Sequence, residues 1–305
     1  RYDAEREYVV CLAAAPPEDA SDALLLTVED VLAKSPAAVC LCVDDPTTAR
    51  PAAERIAAEG LVLVTVGRPI PGILAYGQVD VGWPEGAEML GSSLRRLLPE
   101  AVGRFGQPRT QRSYVLVHEA GRGDLASQCY VRFVTSARKW LEPTLLEERD
   151  ASDRSVPVHQ LIQDMLARFP TTELIVTLDP DPWLSRQPHL ALPQREGPDG
   201  RPIFVNRFAT LGASPRLWPR LESGEAVALV GPLDGELGYA AVDLAMRGVM
   251  AIANARTREV VRCELVTRDT LPDFAQRYAM AANLPLEELP PVRALTTTTA
   301  PADGG

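Results

Sequence analysis

Nearly every apolar run in this chain stops on a group that can donate or accept a hydrogen bond. Asp44 and Asp45 follow Ala37–Val43, and Arg68 follows Leu61–Val66. His118 and Glu119 follow Tyr114–Val117, Asp179 and Asp181 follow Leu174–Leu178, and Asn206 and Arg207 follow Ile203–Val205. Carboxylates accept from hydroxyls or ammonium groups, a guanidinium donates in a fixed fork, and an imidazole does either. Such a set reads polar small molecules. Trp83 and Trp183 lie near run ends and offer flat faces for stacking. Capping or loop chemistry explains any one of these residues. Their convergence carries the argument.

The same residues do not assemble into known catalytic signatures. No Gly-x-Gly-x-x-Gly follows the first strands, and no phosphate-binding Gly-x-x-x-x-Gly-Lys-Ser/Thr or Gly-x-Ser-x-Gly elbow occurs. Gly121-Arg122-Gly123 is too short for a phosphate loop and reads as a turn. His118, His159 and His189 are not spaced as zinc ligands. Cys11, Cys40, Cys42, Cys129 and Cys263 include no Cys-x-x-Cys and read as small buried hydrophobes. The expectation is a binding protein and not an enzyme, with no metal and no cofactor.

The elements that must position these groups follow from hydropathy. The strands at 8–15, 37–43 and 61–66 are continuously apolar, as in a parallel sheet covered on both faces. Helices at 20–33 and about 46–59 separate them. Asp45 is placed to cap the second, with Pro46 at its first position and Gly60 just past its end. A helix follows at 84–98. After the polar stretch 104–112 the alternation restarts, with strands at 114–117, 145–149, 174–178, 203–205, 226–230 and 260–267. Helices fall at 125–141, 158–169 and 236–249, and 183–202 reads as loop. From Leu284 the Pro, Thr, Ala and Gly content predicts a disordered tail. In doubly wound sheets ligands bind beyond the carboxyl ends of the strands, which is where the polar run ends fall.

The chain has 305 residues, 46% hydrophobic and 6% aromatic, with a net charge of −10. Lys34 and Lys139 are its only lysines, and no basic patch appears. Nucleic acid is therefore excluded as a partner of this chain alone. No apolar run is long enough to span a membrane.

The order of elements resembles the type I periplasmic sugar-binding proteins, the ribose- and galactose-binding class, whose core also serves lac-repressor-like regulators. The resemblance rests on "APPEDASDALLLTVEDVLAKSPAAVCLCVDDPTTARPAAERIAAEGLVLVTVGRP", "EGAEMLGSSLRRLL", "VPVHQLIQDMLARFPTTELIVTLD" and "LESGEAVALVGPLDGELGYAAVDLAMRGV". It covers most of residues 8–270. It implies an α/β protein of two doubly wound parallel-sheet lobes joined by three crossovers, with a ligand in the cleft. Lobe one would be 1–108 plus 235–262, and lobe two 109–234 plus 263–283, with 284–305 as tail. The family's first βα unit, which precedes the 8–15 strand, is missing on this reading.

The resemblance also implies a site. Arg68 matches a ligand-binding arginine, although Gly67 replaces the acid beside it. Asp179 falls near the Asn of an Asn-Asp pair, and a late Asp falls near Asn206–Ala209. Cys129 stands where the family has an arginine, and Gly231-Pro232 where it has a glutamine. With the strand-end groups, the expected ligand contacts are Arg68, Asp179, Glu119, His118, Asn206, Asp45 and Trp83. The implied function is extracytoplasmic capture of a sugar-like or other hydroxyl-rich molecule, in the periplasm or on a membrane anchor, for an ABC transporter permease or a membrane sensor. The effector core of a lac-repressor-like regulator, and a degenerate relative that binds no sugar, remain the alternatives.

Overall fold

The computed structural model describes residues 19–43, 45–98, 113–139, 144–153, 155–184, 192–196, 202–250, 257–282 and 289. The strand expected at 8–15, the polar stretch 104–112 and the tail from 284, Leu289 apart, lie outside the described residues.

The described residues open on α1 (Ala20–Leu32), β1 (Ala38–Val43), α2 (Pro46–Ala58), β2 (Val62–Gly67) and β3 (Gly77–Val81). β1, β2 and β3 pair in parallel, in that order. Alternation along β2 explains its uninterrupted apolar sequence. Leu63 packs with Leu41, Val43 and the α1–α2 face, including Val28, Ala53 and Ile56. Val64 points the other way. The sheet is thus covered on both sides.

Next come α3 (Trp83–Leu97), β4 (Ser113–His118), α4 (Asp124–Ala137), β5 (Thr144–Asp150), α5 (Val158–Arg168) and β6 (Leu174–Thr177). A short helix α6 (Asp181–Leu184) leads to a ribbon of β7 (Gln194–Glu196) and β8 (Pro202–Phe204). β9 (Arg207–Leu211), α7 (Trp218–Glu222) and β10 (Ala226–Gly231) complete this stretch. α8 (Asp234–Val249) and β11 (Thr257–Val261) return to the first sheet, where Ala241 and Leu244 cover Val64 and Val79 and β11 pairs in parallel with β3. β12 (Glu264–Val266) and α9 (Leu271–Ala282) follow.

Two compact units result, one within Arg1–Val81 and Gly235–Val261, the other within Gly82–Asp234 and Arg262–Gly305. The chain passes from one to the other three times. The sequence reading placed the first crossing at 108–109. The observed grouping puts α3 in the second unit, because α3 packs along α4 and onto β9 and β10. Gly91 permits the close approach: a Cβ there would lie 2.6 Å from the Phe133 carbonyl oxygen.

The second unit holds a six-stranded sheet of order β12-β10-β9-β6-β4-β5, parallel except for β12. Val115, Ile175, Phe208 and Leu229 face α5, α7 and α9. On the other face Tyr114 meets Phe133 of α4 edge-on, and Val230 lies beneath α3.

Several sequence expectations are corrected. β3 was missed because Asp80 interrupts its apolar pattern. That buried carboxylate is matched by Gln78 and by Arg258 of β11. The run read as one strand at 260–267 is two, β11 and β12, in different sheets. The 203–205 strand is only part of the ribbon; the sheet strand is β9. The reading of 183–202 as loop missed α6 and β7. α9 went unrecognised. Cys129 and Cys263 are buried as expected, whereas Cys40 and Cys42 are exposed.

Gly91→Ala should destabilise the protein by roughly 1–3 kcal/mol through overpacking. Gly238→Ala, on an exposed position of α8 with nothing within 4 Å of the added methyl, should stabilise it by roughly 0.5–1 kcal/mol. Urea unfolding of both variants checks the contrast.

Candidate functional site

The strand order of the second unit reverses at β4. From β4 the chain runs through α4 on one face to β5 at the sheet edge. From β5 it returns through α5 on the other face to β6, on the opposite side of β4. Connections leaving in opposite senses open a crevice at the carboxyl ends of the flanking strands. A cavity of about 200 Å³ lies there. Val117, His118 and Glu119 come from the end of β4, Thr177 from β6, and Asp179 and Asp181 from the turn after β6. Ala151, Val156, Pro157, Val158 and Pro182 supply an aliphatic wall.

His118 is only 6% exposed. Its Nδ1 accepts from the Ala120 amide at 3.2 Å, so the proton sits on Nε2. Among the described residues no partner takes that proton. Burial holds the imidazole below its usual pKa, against the pull of Asp150 and Glu148. The ring stays neutral at pH 7, resting 4.2 Å from the Tyr130 ring of α4.

Three carboxylates, Glu119, Asp179 and Asp181, line the cavity with this donor, and a fourth, Asp150, stands on the Nδ1 side of the ring. Glu119 pairs with Arg122 on the turn after β4. Asp179 Oδ1 accepts from the Asp181 amide at 2.8 Å. Burial pushes the Asp179 carboxyl up to about 6, with Asp181 and Glu119 adding to the rise and Arg122 opposing it. Asp150, at the end of β5, lies 3.9 Å from His118 Nδ1. Burial works to raise its pKa, but hydrogen bonds from the Ser152 hydroxyl and amide and from the Gly121 amide, with an electrostatic contribution from His118, hold it below the usual range. Thr177 is already spent: its hydroxyl donates to Thr210 and accepts from Trp183 Nε1.

The structure therefore brings together three of the expected residues, His118, Glu119 and Asp179. Two others, Asp45 and Arg68, meet in the first unit at the carboxyl ends of β1 and β2. Asp45 caps α2 as expected, accepting from the Thr47 and Thr48 amides and the Thr48 hydroxyl. The Thr48 bond is the main cause of its lowered pKa, and the Arg68 charge contributes. Gly67, at φ +96°, turns the chain so that the Arg68 amide reaches the Val43 carbonyl at 3.1 Å. Trp83 opens α3 just past β3, half-buried.

Asn206 is a correction. It precedes β9 and so stands at the amino-terminal end of the sheet, remote from the strand ends that form the cavity. Its buried amide donates to the Thr172 carbonyl, fixing the loop before β6. Trp183 is also packing: it is buried, stacks on Phe208 at 3.9 Å and 9°, and lies under Arg220. Asp150 and the Val156–Val158 wall were not foreseen. The acid at the end of a polar edge strand was the one available signal, and it is weak.

No family model and no curated protein matches the chain. Solved structures do. The arabinose-binding protein AraP from Geobacillus stearothermophilus matches with a TM-score of 0.66 at 12% identity, covering 83% of this chain and 84% of that one. A sugar-binding protein of a sugar ABC transporter from Bacillus halodurans matches with 0.61 at 11% identity, covering 84% and 92%. The chain has the type I periplasmic-binding-protein fold. A putative LacI transcriptional regulator from Bacteroides fragilis, at 0.55 and 12% identity over 83% of each chain, carries the same binding-protein fold, so the fold alone leaves the ligand open.

A carboxyl held at a pKa of about 6 costs the folded state when ionised, up to about 3 kcal/mol at neutral pH. The folded-state value exceeds the unfolded one, so this cost is full above pH 6 and is relieved as pH falls from about 6 towards 4. Asp179→Asn should raise the melting temperature of the ligand-free protein at pH 7.5 and have little effect at pH 4. Thermal unfolding across that range measures it.

Proposed function

We propose that the protein is an extracytoplasmic solute-binding protein that captures a small hydroxyl-rich molecule at the carboxyl ends of β4 and β6. The observation that carries this reading is the built cavity at the strand reversal. It combines an unspent imidazole donor, three carboxylate acceptors and an aliphatic wall, and a few fixed polar groups on an apolar surface are what a small polar ligand requires. The matched proteins suggest the ligand class: one is an arabinose-binding protein, and another is a solute-binding protein from Actinobacillus succinogenes with bound D-allose. The partner would be an ABC transporter permease or a membrane sensor. No helix among the described residues is long and apolar enough to cross a membrane.

The match to a LacI-type regulator keeps one second reading, an effector-binding core. A signal peptide or lipobox encoded upstream would favour transport, and a helix-turn-helix would favour regulation.

A thermal-shift screen of pentoses, hexoses, polyols, amino acids and nucleosides tests the binding claim. A true ligand at a hundredfold excess over Kd should stabilise the protein by about 2.7 kcal/mol. No shift with any class contradicts the reading. Arg68, in the first unit, is proposed on its own account as a ligand-binding residue. Its charge acts on Asp45, and among the described residues no hydrogen bond ties its guanidinium, so Arg68→Ala should weaken binding while changing the unliganded melting temperature little. Undiminished affinity would remove Arg68 from the candidate residues.

A further inference from the structure

The charge of the cavity is one-sided. Glu119, Asp179 and Asp181 line it, and among the described residues no lysine or arginine does. Arg122 pairs with Glu119, and its charge is shared with Asp179 and Asp181. His118 contributes a neutral donor in a side chain more than nine-tenths buried, and its Nε2 proton has no partner among the described residues. The wall is aliphatic throughout: neither Trp83 nor Trp183 lines it. A neutral sugar ring therefore gains no aromatic stacking here, and its hydroxyls do nothing to offset three crowded carboxylates. An ammonium group does both jobs, donating three hydrogen bonds and supplying the missing charge.

We propose that this cavity selects a small hydroxylated molecule carrying a primary amine, with the ammonium between Asp179 and Asp181 and a hydroxyl oxygen accepting from His118 Nε2. Three observations agree. Asp179 has one carboxylate oxygen given to the Asp181 amide, which leaves the other for a ligand. Asp181 is exposed and its carboxylate has no hydrogen-bond partner among the described residues. The volume, about 200 Å³, equals roughly seven waters' share of liquid, a compact body such as an amino sugar or amino polyol. Burial is the main reason that Asp179 holds a proton more tightly than usual, and the Asp181 and Glu119 charges that would hold an ammonium add to it.

The inference rests on the binding reading above, and one titration series separates the two. D-glucose, D-glucosamine and N-acetyl-D-glucosamine, with the arabinose, galactose and amino-alcohol analogues, are titrated at pH 7.5 by calorimetry. An amine should bind at least about tenfold tighter than its neutral and N-acetylated counterparts. Asp179→Asn and Asp181→Asn should each erase most of that preference, bringing the affinity for the amine down to that for its N-acetylated counterpart. Neutral sugars binding as tightly as the amines, or a preference untouched by both variants, would overturn the proposal and leave the solute-binding reading standing. Binding by no member of the series would overturn both.

Discussion

The site depends on one topological constraint, the reversal of strand order at β4. Right-handed crossovers on opposite faces force the chain to leave β4 and to re-enter at β6 on diverging paths. The space left between those paths cannot be filled by either helix layer. Its floor is the carboxyl end of two fully buried strands. His118 is the last residue of β4, paired with Asp150 of β5, and Glu119 and Asp179 follow within two residues of the strand ends, so the sheet sets where all three begin.

What fills that space sets its chemistry. The β4 and β6 turns meet as acid against acid, with Arg122 as the one cation acting between them among the described residues. Hydrogen bonds settle part of the cost: Ser152 and Gly121 hold Asp150, and Arg122 holds Glu119. Asp179 receives one amide and no cation of its own, which is why burial dominates it. A folded state that retains such a group unneutralised gives up stability at a place where a ligand can return it.

Legibility in the sequence followed the same physics. β2 was readable because both of its faces are covered, which makes the strand continuously apolar, and α2 because Asp45, Pro46 and Gly60 mark its ends. His118, Glu119 and Asp179 were readable because the apolar runs before them end at the sheet's edge. β3 was not, since Asp80 is neutralised by Arg258, a partner 178 residues away that no local pattern reveals. Asn206 failed for a related reason. The ribbon β7–β8 supplies an apolar run of its own just upstream of β9, so the polar residue after it marks the start of a sheet strand, at the wrong end for binding. The missing aromatic platform was equally invisible: Trp183 sits at a strand end in sequence but turns inward onto Phe208.

The central claim is that ligand binds at the carboxyl ends of β4 and β6. Amide hydrogen exchange, with and without the tightest binder found, tests it directly. The account predicts new protection concentrated in 118–123, 150–158 and 177–182. Protection absent from those segments, or centred on Asn206 and Thr172 at the other end of the sheet, would contradict it.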